Sequence, residues 1–170
     1  MIVAVVVLVL AFLPMAFEAR LASRHERALR AAGAIEPADD VYPWMQIVYP
    51  ATFLSMTVEA VIRRADVNDI FALGISVFVL GKAIKYWAIA TLGSRWTFRV
   101  LVPPSSSLIT HGPYRYMRHP NYLGVVGELV GLALAARATI SGPLSVVLFA
   151  ALMVLRIRVE ERALERAGSH

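Results

Sequence analysis

The chain has 170 residues, 58% of them apolar, a mean hydropathy of +0.64, a formal charge of +5 and no cysteine. That exceeds the apolar content a soluble domain of this size carries, and it fits an all-α, polytopic transmembrane bundle, in which each helix satisfies its own backbone and stays apolar on every side. Disulfides and thiolate metal sites are excluded, and the basic excess lies beside apolar segments, which reads as membrane topology with lipid headgroups, not nucleic acid, as the partner.

Five apolar segments follow in chain order, at about 2–17, 41–62, 70–92, 121–136 and 143–155. The first lacks the basic leader of a secretory signal and reads as a retained helix. Residues 18–40 read as an amphipathic surface helix followed by a loop, because Leu21, Ala28, Leu29 and Ala32 recur at helical spacing with arginines elsewhere. The last two segments are short against the roughly 20 residues that span a hydrocarbon core. Only Arg137–Gly142 separates them, so a tight helical hairpin is predicted, with the fifth helix continuing beyond the membrane through Arg156–Arg166. Arg20, Arg24, Arg27, Arg30, Arg95, Arg99, Arg115, Arg118, Arg156, Arg158, Arg162 and Arg166 fall on one side, against Arg63, Arg64 and Arg137 on the other. The positive-inside rule then predicts five crossings, an external N-terminus and a cytoplasmic C-terminus. Arginine far in excess of lysine, together with abundant alanine, points to a bacterial inner membrane.

Polar chemistry concentrates between the third and fourth segments, in His111–Gly124. Pro120 presets a first helical turn, so free backbone N–H groups behind Arg118 and His119 suit an anion; the same residues equally suit a headgroup anchor, with Tyr122 in an aromatic belt. Gly124, Gly127 and Gly131 share one helical face, which favours close helix contact. Glu128 is an intramembrane carboxylate that must be paired or functional, with Lys82 or Lys85 as a structural partner or substrate as the alternative. Glu59, nearer the end of its segment, reads as structural. Arg156, Glu160 and Glu161 at the end of the fifth helix read on their own as a solvated face with i,i+4 pairs, and as part of a site through lying on the same predicted side as the His119 segment. No metal-ligand spacing, nucleophile elbow or Rossmann glycine loop is present, so any cofactor must be held by helices.

The run Leu108-Ile-Thr-His-Gly-Pro-Tyr-Arg-Tyr-Met-Arg-His-Pro-Asn-Tyr-Leu-Gly124 resembles the signature of isoprenylcysteine carboxyl methyltransferases and related membrane methyltransferases. Arg156-Ile-Arg-Val-Glu160-Glu161-Arg-Ala-Leu164 resembles the same family's C-terminal R-x-x-x-E-E-x-x-L element, and Tyr86-Trp87 and Leu92-Gly93-x-x-Trp96 are similar to its upstream pattern. On that likeness residues 1–170 form one domain, with 1–84 supplying N-terminal spans and an amphipathic loop and 85–164 the cofactor-binding region. The resemblance implies S-adenosyl-methionine as cofactor, bound near the cytosolic face by Tyr114, His119, Pro120, Asn121, Tyr122, Gly124 and Glu160. It implies that Arg118, Arg156 and Glu161 orient cofactor or acceptor. A lipidic acceptor enters sideways, either a prenylcysteine-type carboxylate or the hydroxyl of an alkylpyrone or alkylresorcinol; the hydroxyl would use Glu161 or Glu128 as a base. Two other readings compete: an NADPH-dependent enzyme like the sterol reductases, which share an R-H-x-N-Y-like segment, and a non-catalytic membrane scaffold.

Overall fold

The computed structural model describes residues 1–102 and 109–168, without the side chains of residues 164 and 166–168. Leu108, at the start of the motif run, and the side chains of Leu164 and Arg166 therefore lie outside the described residues. Among the described residues the α-helices are five: α1 Ile2–Ala31, α2 Tyr42–Ile62, α3 Asp69–Leu92, α4 Pro120–Ala135 and α5 Ser141–Gly168. Short 3-10 turns at Gly93–Arg95 and Gly112–Arg115 punctuate the long α3–α4 connection. Among the described residues no strand is named, and a single bridge pairs Ile35 with Val102.

α1 corrects one expectation. The apolar segment 2–17 and the surface helix expected after it are one continuous helix of 30 residues, with Pro14 inside. Between Phe17 and Ala32 there is neither glycine nor proline, and Ala, Leu, Arg and Glu propagate a helix well, so nothing stops it before Gly33, which adopts φ +84°. At about 1.5 Å per residue it is roughly 45 Å long, more than a hydrocarbon core. Continuity turns one face of residues 18–30 into the bundle: Glu18, Ala22 and Leu29 are buried, where a surface helix would have left Glu18 in water.

Among the described residues, four helical segments are long and apolar enough to cross a membrane: Ile2–Ala31, Tyr42–Ile62, Asp69–Arg95 and Ser141–Ala163. The fifth apolar segment is thus not short, since 143–155 lies in the first half of a 28-residue helix. α4 is the short one, with 16 residues.

α4 packs against α3 with almost no side chain between them. A Cβ added at Gly131 would lie 2.4 Å from the Phe78 nitrogen, and one at Gly74 would lie 2.4 Å from the Ala135 nitrogen. Gly124 and Gly127 approach Gly81 in the same way. The glycine face is therefore a helix–helix contact. The α4–α5 hairpin turns at Arg137, which holds φ +52°, and Glu59 of α2 closes it. Its carboxylate accepts from Ile140 N–H at 3.1 Å, Ser141 N–H at 2.7 Å and the Ser141 hydroxyl at 2.7 Å, which caps the start of α5 as a structural carboxylate. Val7, Phe53, Met56, Leu129, Leu132 and Phe149 fill the centre of the bundle.

Candidate functional site

The start of α4 and the end of α5 meet. Pro120 occupies the first turn of α4 and is buried, which fixes the direction in which His119 and Tyr122 leave the helix. The Tyr122 hydroxyl donates to Glu160 Oε2 at 2.9 Å and accepts from Arg156 Nε at 2.9 Å. Arg156 in turn donates through Nη1 to Asp40 Oδ1 at 3.2 Å. Asp40 also accepts from Tyr42 N–H at 3.0 Å and Val100 N–H at 2.9 Å, so one carboxylate ties the α1–α2 loop, the 97–102 segment and α5 together. His119 stacks on Tyr122 with ring centroids 5.3 Å apart, its Nδ1 4.0 Å from Glu160 and its Nε2 3.8 Å from Glu161. Arg118 is exposed and lies 3.8 Å from Glu161.

Arg118, His119, Tyr122, Arg156 and Glu160 form the mouth of a cavity of about 350 Å³, within the size range of small-molecule sites. Its polar end is lined by Arg95, Arg99, Tyr114, Arg118, His119, Asn121, Tyr122, Arg156 and Glu160. The Trp96–Val102 segment forms one wall. It is held by Asp40, by His25 Nδ1 at 2.8 Å from the Trp96 carbonyl, and by Arg99, which donates to Glu36 at 2.6 Å. Deeper between the helices the lining becomes Met15, Met45, Tyr49, Pro50, Val125 and Phe149, with Lys85 among them. The space is therefore amphipathic along its length, with charge at the helix ends and hydrocarbon inside.

Electrostatics keep the mouth's groups in defined states. Burial, reinforced by the charge of Glu160, pushes the Tyr114 phenol up, so it remains a neutral donor. Burial would raise the Glu36 carboxyl, but hydrogen bonds from Arg99 and Arg30 outweigh it and hold the group below its ordinary value. The bond to Glu36 raises Arg99 in return. Two buried polar atoms of the mouth, His119 Nε2 and Asn121 Oδ1, have no hydrogen-bond partner among the described residues. Buried polar atoms are normally satisfied, so this pair marks room for a ligand's own donors and acceptors.

Of the residues singled out from sequence, Tyr114, Arg118, His119, Asn121, Tyr122, Arg156 and Glu160 line the cavity. Pro120, Gly124, Glu128 and Glu161 are not part of its lining. Gly124 serves the α3 contact, where a Cβ would meet that of Lys85 at 2.7 Å. Glu161 reaches within 3.8 Å of His119 and Arg118 but lines a separate shallow groove with Asp39 and Arg162. Glu128 is paired with both Lys82 and Lys85, at 3.0 and 3.2 Å. Sequence reasoning missed Asp40, Tyr49 and Glu18. The Asp39-Asp40 pair ahead of a proline-started helix was the one local signal for Asp40; Tyr49 looked like one more aromatic in an apolar span.

Helices long and apolar enough to cross a membrane, around a cavity polar at one end and apolar at the other, define a membrane-embedded chamber suited to an amphiphilic molecule. The chain belongs to the isoprenylcysteine carboxyl methyltransferase (ICMT) family, a family of membrane methyltransferases, whose model matches residues 72–166. It is 32% identical over 151 residues to the uncharacterized protein YpbQ of Bacillus subtilis (strain 168), covering 88% of this chain and 89% of that one. A second uncharacterized protein, from Haemophilus influenzae, is 28% identical over 83% of each chain. The probable protein-S-isoprenylcysteine O-methyltransferase of Oryza sativa subsp. indica is 35% identical over 79 residues, 45% of this chain and 39% of that one. No solved structure matches the chain.

Proposed function

We propose that this chain is an S-adenosyl-methionine-dependent O-methyltransferase that acts on a lipidic acceptor at the cytosolic face of a bacterial inner membrane. The observation that carries the reading is the continuous cavity that joins the Tyr122–Arg156–Glu160 cluster to an apolar interior. The donor set fits an adenosyl amino acid. Arginines at the mouth suit a carboxylate, Glu160 and the unpartnered Asn121 Oδ1 suit hydroxyl and amino donors, and the faces of Tyr114 and Tyr122 beside a carboxylate suit a sulfonium. When bound, that cofactor supplies an electrophilic methyl group for in-line displacement, a reaction that depends chiefly on positioning.

The chain's own residues do the rest. Tyr122, fixed by Arg156 on one side and Glu160 on the other, holds the mouth rigid, and Asp40 holds Arg156. The wall formed by Trp96 and Phe98 keeps water from the reacting atoms. The apolar depth receives the acceptor's hydrocarbon, whether a prenylcysteine-type carboxylate, oriented by Arg156 or Arg118, or the hydroxyl of an alkylpyrone or alkylresorcinol. The orientation with the C-terminus cytoplasmic is supported by the arginine distribution, which puts the mouth where the cofactor is made.

The test is direct. Purified protein in detergent should bind S-adenosyl-homocysteine, ignore NADPH, and transfer labelled methyl to at least one of prenylcysteine analogues, alkylpyrones or alkylresorcinols. NADPH binding without S-adenosyl-homocysteine binding would favour a reductase, and binding of neither would favour a scaffold; both overturn the proposal.

A further inference from the structure

About two helical turns below the mouth, four charged side chains pack together between α1, α3 and α4. Glu18 is 1% exposed, Glu128 2%, Lys85 3% and Lys82 8%. Lys82 Nζ lies 2.8 Å from Glu18 and 3.0 Å from Glu128; Lys85 Nζ lies 2.6 Å from Glu18 and 3.2 Å from Glu128. Two carboxylates balance two ammoniums, so the tetrad is neutral overall. Tyr49 enters from α2 and donates its hydroxyl proton to Glu128 Oε2 at 2.6 Å. Its ring lies 5.7 Å from Lys85 Nζ, and the Tyr86 ring lies 5.5 Å from Lys82 Nζ.

Such a cluster is costly to bury, and holding the helices together does not require it. α3 and α4 already touch backbone to backbone through their glycines, and ion pairs inside a bilayer usually mark function. Its relation to the cavity is specific. Tyr49 and Lys85 line the apolar depth, while Glu18, Lys82 and Glu128 stand behind them. Glu128 Oε1 faces Lys85 Nζ at 3.2 Å while Oε2 takes the Tyr49 hydroxyl, so one carboxylate couples the two polar groups of the cavity's apolar depth.

We infer that Tyr49, Glu128 and Lys85 form a proton-accepting and oxyanion-holding group for the acceptor, which makes the acceptor an amphiphile with an acidic hydroxyl. The inference rests on the cavity being a site of O-methyl transfer. The acceptor O–H bond breaks as its proton moves to Tyr49 Oη, while the Tyr49 proton passes to Glu128 Oε2. The acceptor oxygen then uses a lone pair to form a bond to the sulfonium methyl carbon, and the C–S bonding electrons leave with the neutral thioether. With Glu128 protonated the tetrad carries one positive charge, which the acceptor oxyanion balances. Lys85 keeps Glu18 at 2.6 Å but no longer faces an ionised Glu128, and it is the cation on the cavity wall that pairs with that oxyanion. After transfer the ether is neutral, and the proton returns through Tyr49 to water in the cavity. A carboxylate acceptor is already ionised at neutral pH and needs none of this.

The experiment uses the full chain in detergent micelles, without cofactor, and a long-chain alkyl nitrophenol whose absorption separates phenol from phenolate. Tyr49 of α2 and Lys85 of α3 face the bound hydroxyl, and the groups packed around them are Lys82 and Tyr86 of α3, Glu18 of α1 and Glu128 of α4. Bound to the wild type, the probe should ionise about 1–3 pH units below its midpoint in empty micelles, as expected beside a cluster that gains one net positive charge when Glu128 takes the proton. Tyr49→Phe should bind the probe with its midpoint returned toward that of the micelles. The same variant should lose about 10²–10⁴-fold in kcat with hydroxyl acceptors, the size of a general-base contribution, with S-adenosyl-homocysteine affinity unchanged. A probe that stays un-ionised in the wild type overturns the inference without any variant, and so does an equal midpoint in wild type and Tyr49→Phe. Failure of the wild type to bind S-adenosyl-homocysteine sinks the methyltransferase reading separately, since the probe reports ionisation without it.

Discussion

Asp40 and Arg156 are 116 residues apart in sequence and 3.2 Å apart in space, with both side chains buried. The pair sits behind the cavity mouth and fixes the guanidinium that holds Tyr122. Removing one partner of a buried ion pair leaves an uncompensated charge and costs about 3–5 kcal/mol. Asp40→Ala should therefore lower the unfolding midpoint in detergent sharply. Asp40→Asn, which keeps an acceptor for the Val100 N–H, should lose less. An Asp40→Ala protein with the wild-type midpoint would show that the contact is not formed.

Tyr122 links the two charged clusters, donating to Glu160 and accepting from Arg156. Phenylalanine retains the stack with His119 and removes both bonds. A hydrogen bond to a charged group contributes about 1.5–3 kcal/mol, and 1.4 kcal/mol is about a factor of ten in affinity. If the mouth holds S-adenosyl-methionine, Tyr122→Phe should weaken S-adenosyl-homocysteine binding at least about tenfold by calorimetry. Unchanged affinity would remove Tyr122 from the site.

Legibility tracked how local each cause was. The spans of α2 and α3, the α4–α5 hairpin and the glycine contact were readable because hydropathy, a short connection and a three- and four-residue spacing are properties of neighbouring residues. Glu18 was not. Among Arg20, Arg24 and Arg27 it looked like one more solvated charge, while its partners Lys82 and Lys85 lie 64 and 67 residues further on. The fate of Glu128 was half readable, since the lysines were visible as candidates but the Tyr49 bond across 79 residues was not. Asp40 and the cavity wall it holds depend on contacts across 60 and 116 residues, for which a single sequence carries no spacing rule.

Glu36 gives a pH dependence with a definite sign. Bonds from Arg99 and Arg30 outweigh burial and lower its folded-state pKa, so near the ordinary carboxyl range the unfolded chain binds more protons than the folded one. The contribution to stability is present above the unfolded value, about 4.3, and is lost as pH falls through the folded one. Glu36→Gln should have a lower unfolding midpoint than the wild type at pH 7, with the gap closing in acid. The carboxylate is partly exposed, so salt should also narrow the gap. A difference that persists undiminished at pH 3 would rule out the charge as its source.

Gly131 tests the closest contact in the fold. A methyl group there would stand 2.4 Å from the Phe78 nitrogen and 2.7 Å from the Gly74 carbonyl oxygen. Both are backbone atoms inside a helix, which cannot rotate away as a side chain would, so α3 and α4 must separate. Overpacking of this kind costs about 1–3 kcal/mol. The separation also reaches the tetrad, because Lys82 and Lys85 lie on α3 and Glu128 on α4, one turn from Gly131. Gly131→Ala should therefore lower both the unfolding midpoint and the rate of methyl transfer. Gly93→Ala, where an added Cβ meets no atom of the described residues beyond its chain neighbours within 4 Å, should show only the cost of its φ of +56° and leave α3 and α4 in contact. Equal stability of Gly131→Ala and the wild type would mean that the two helices do not touch through their backbones.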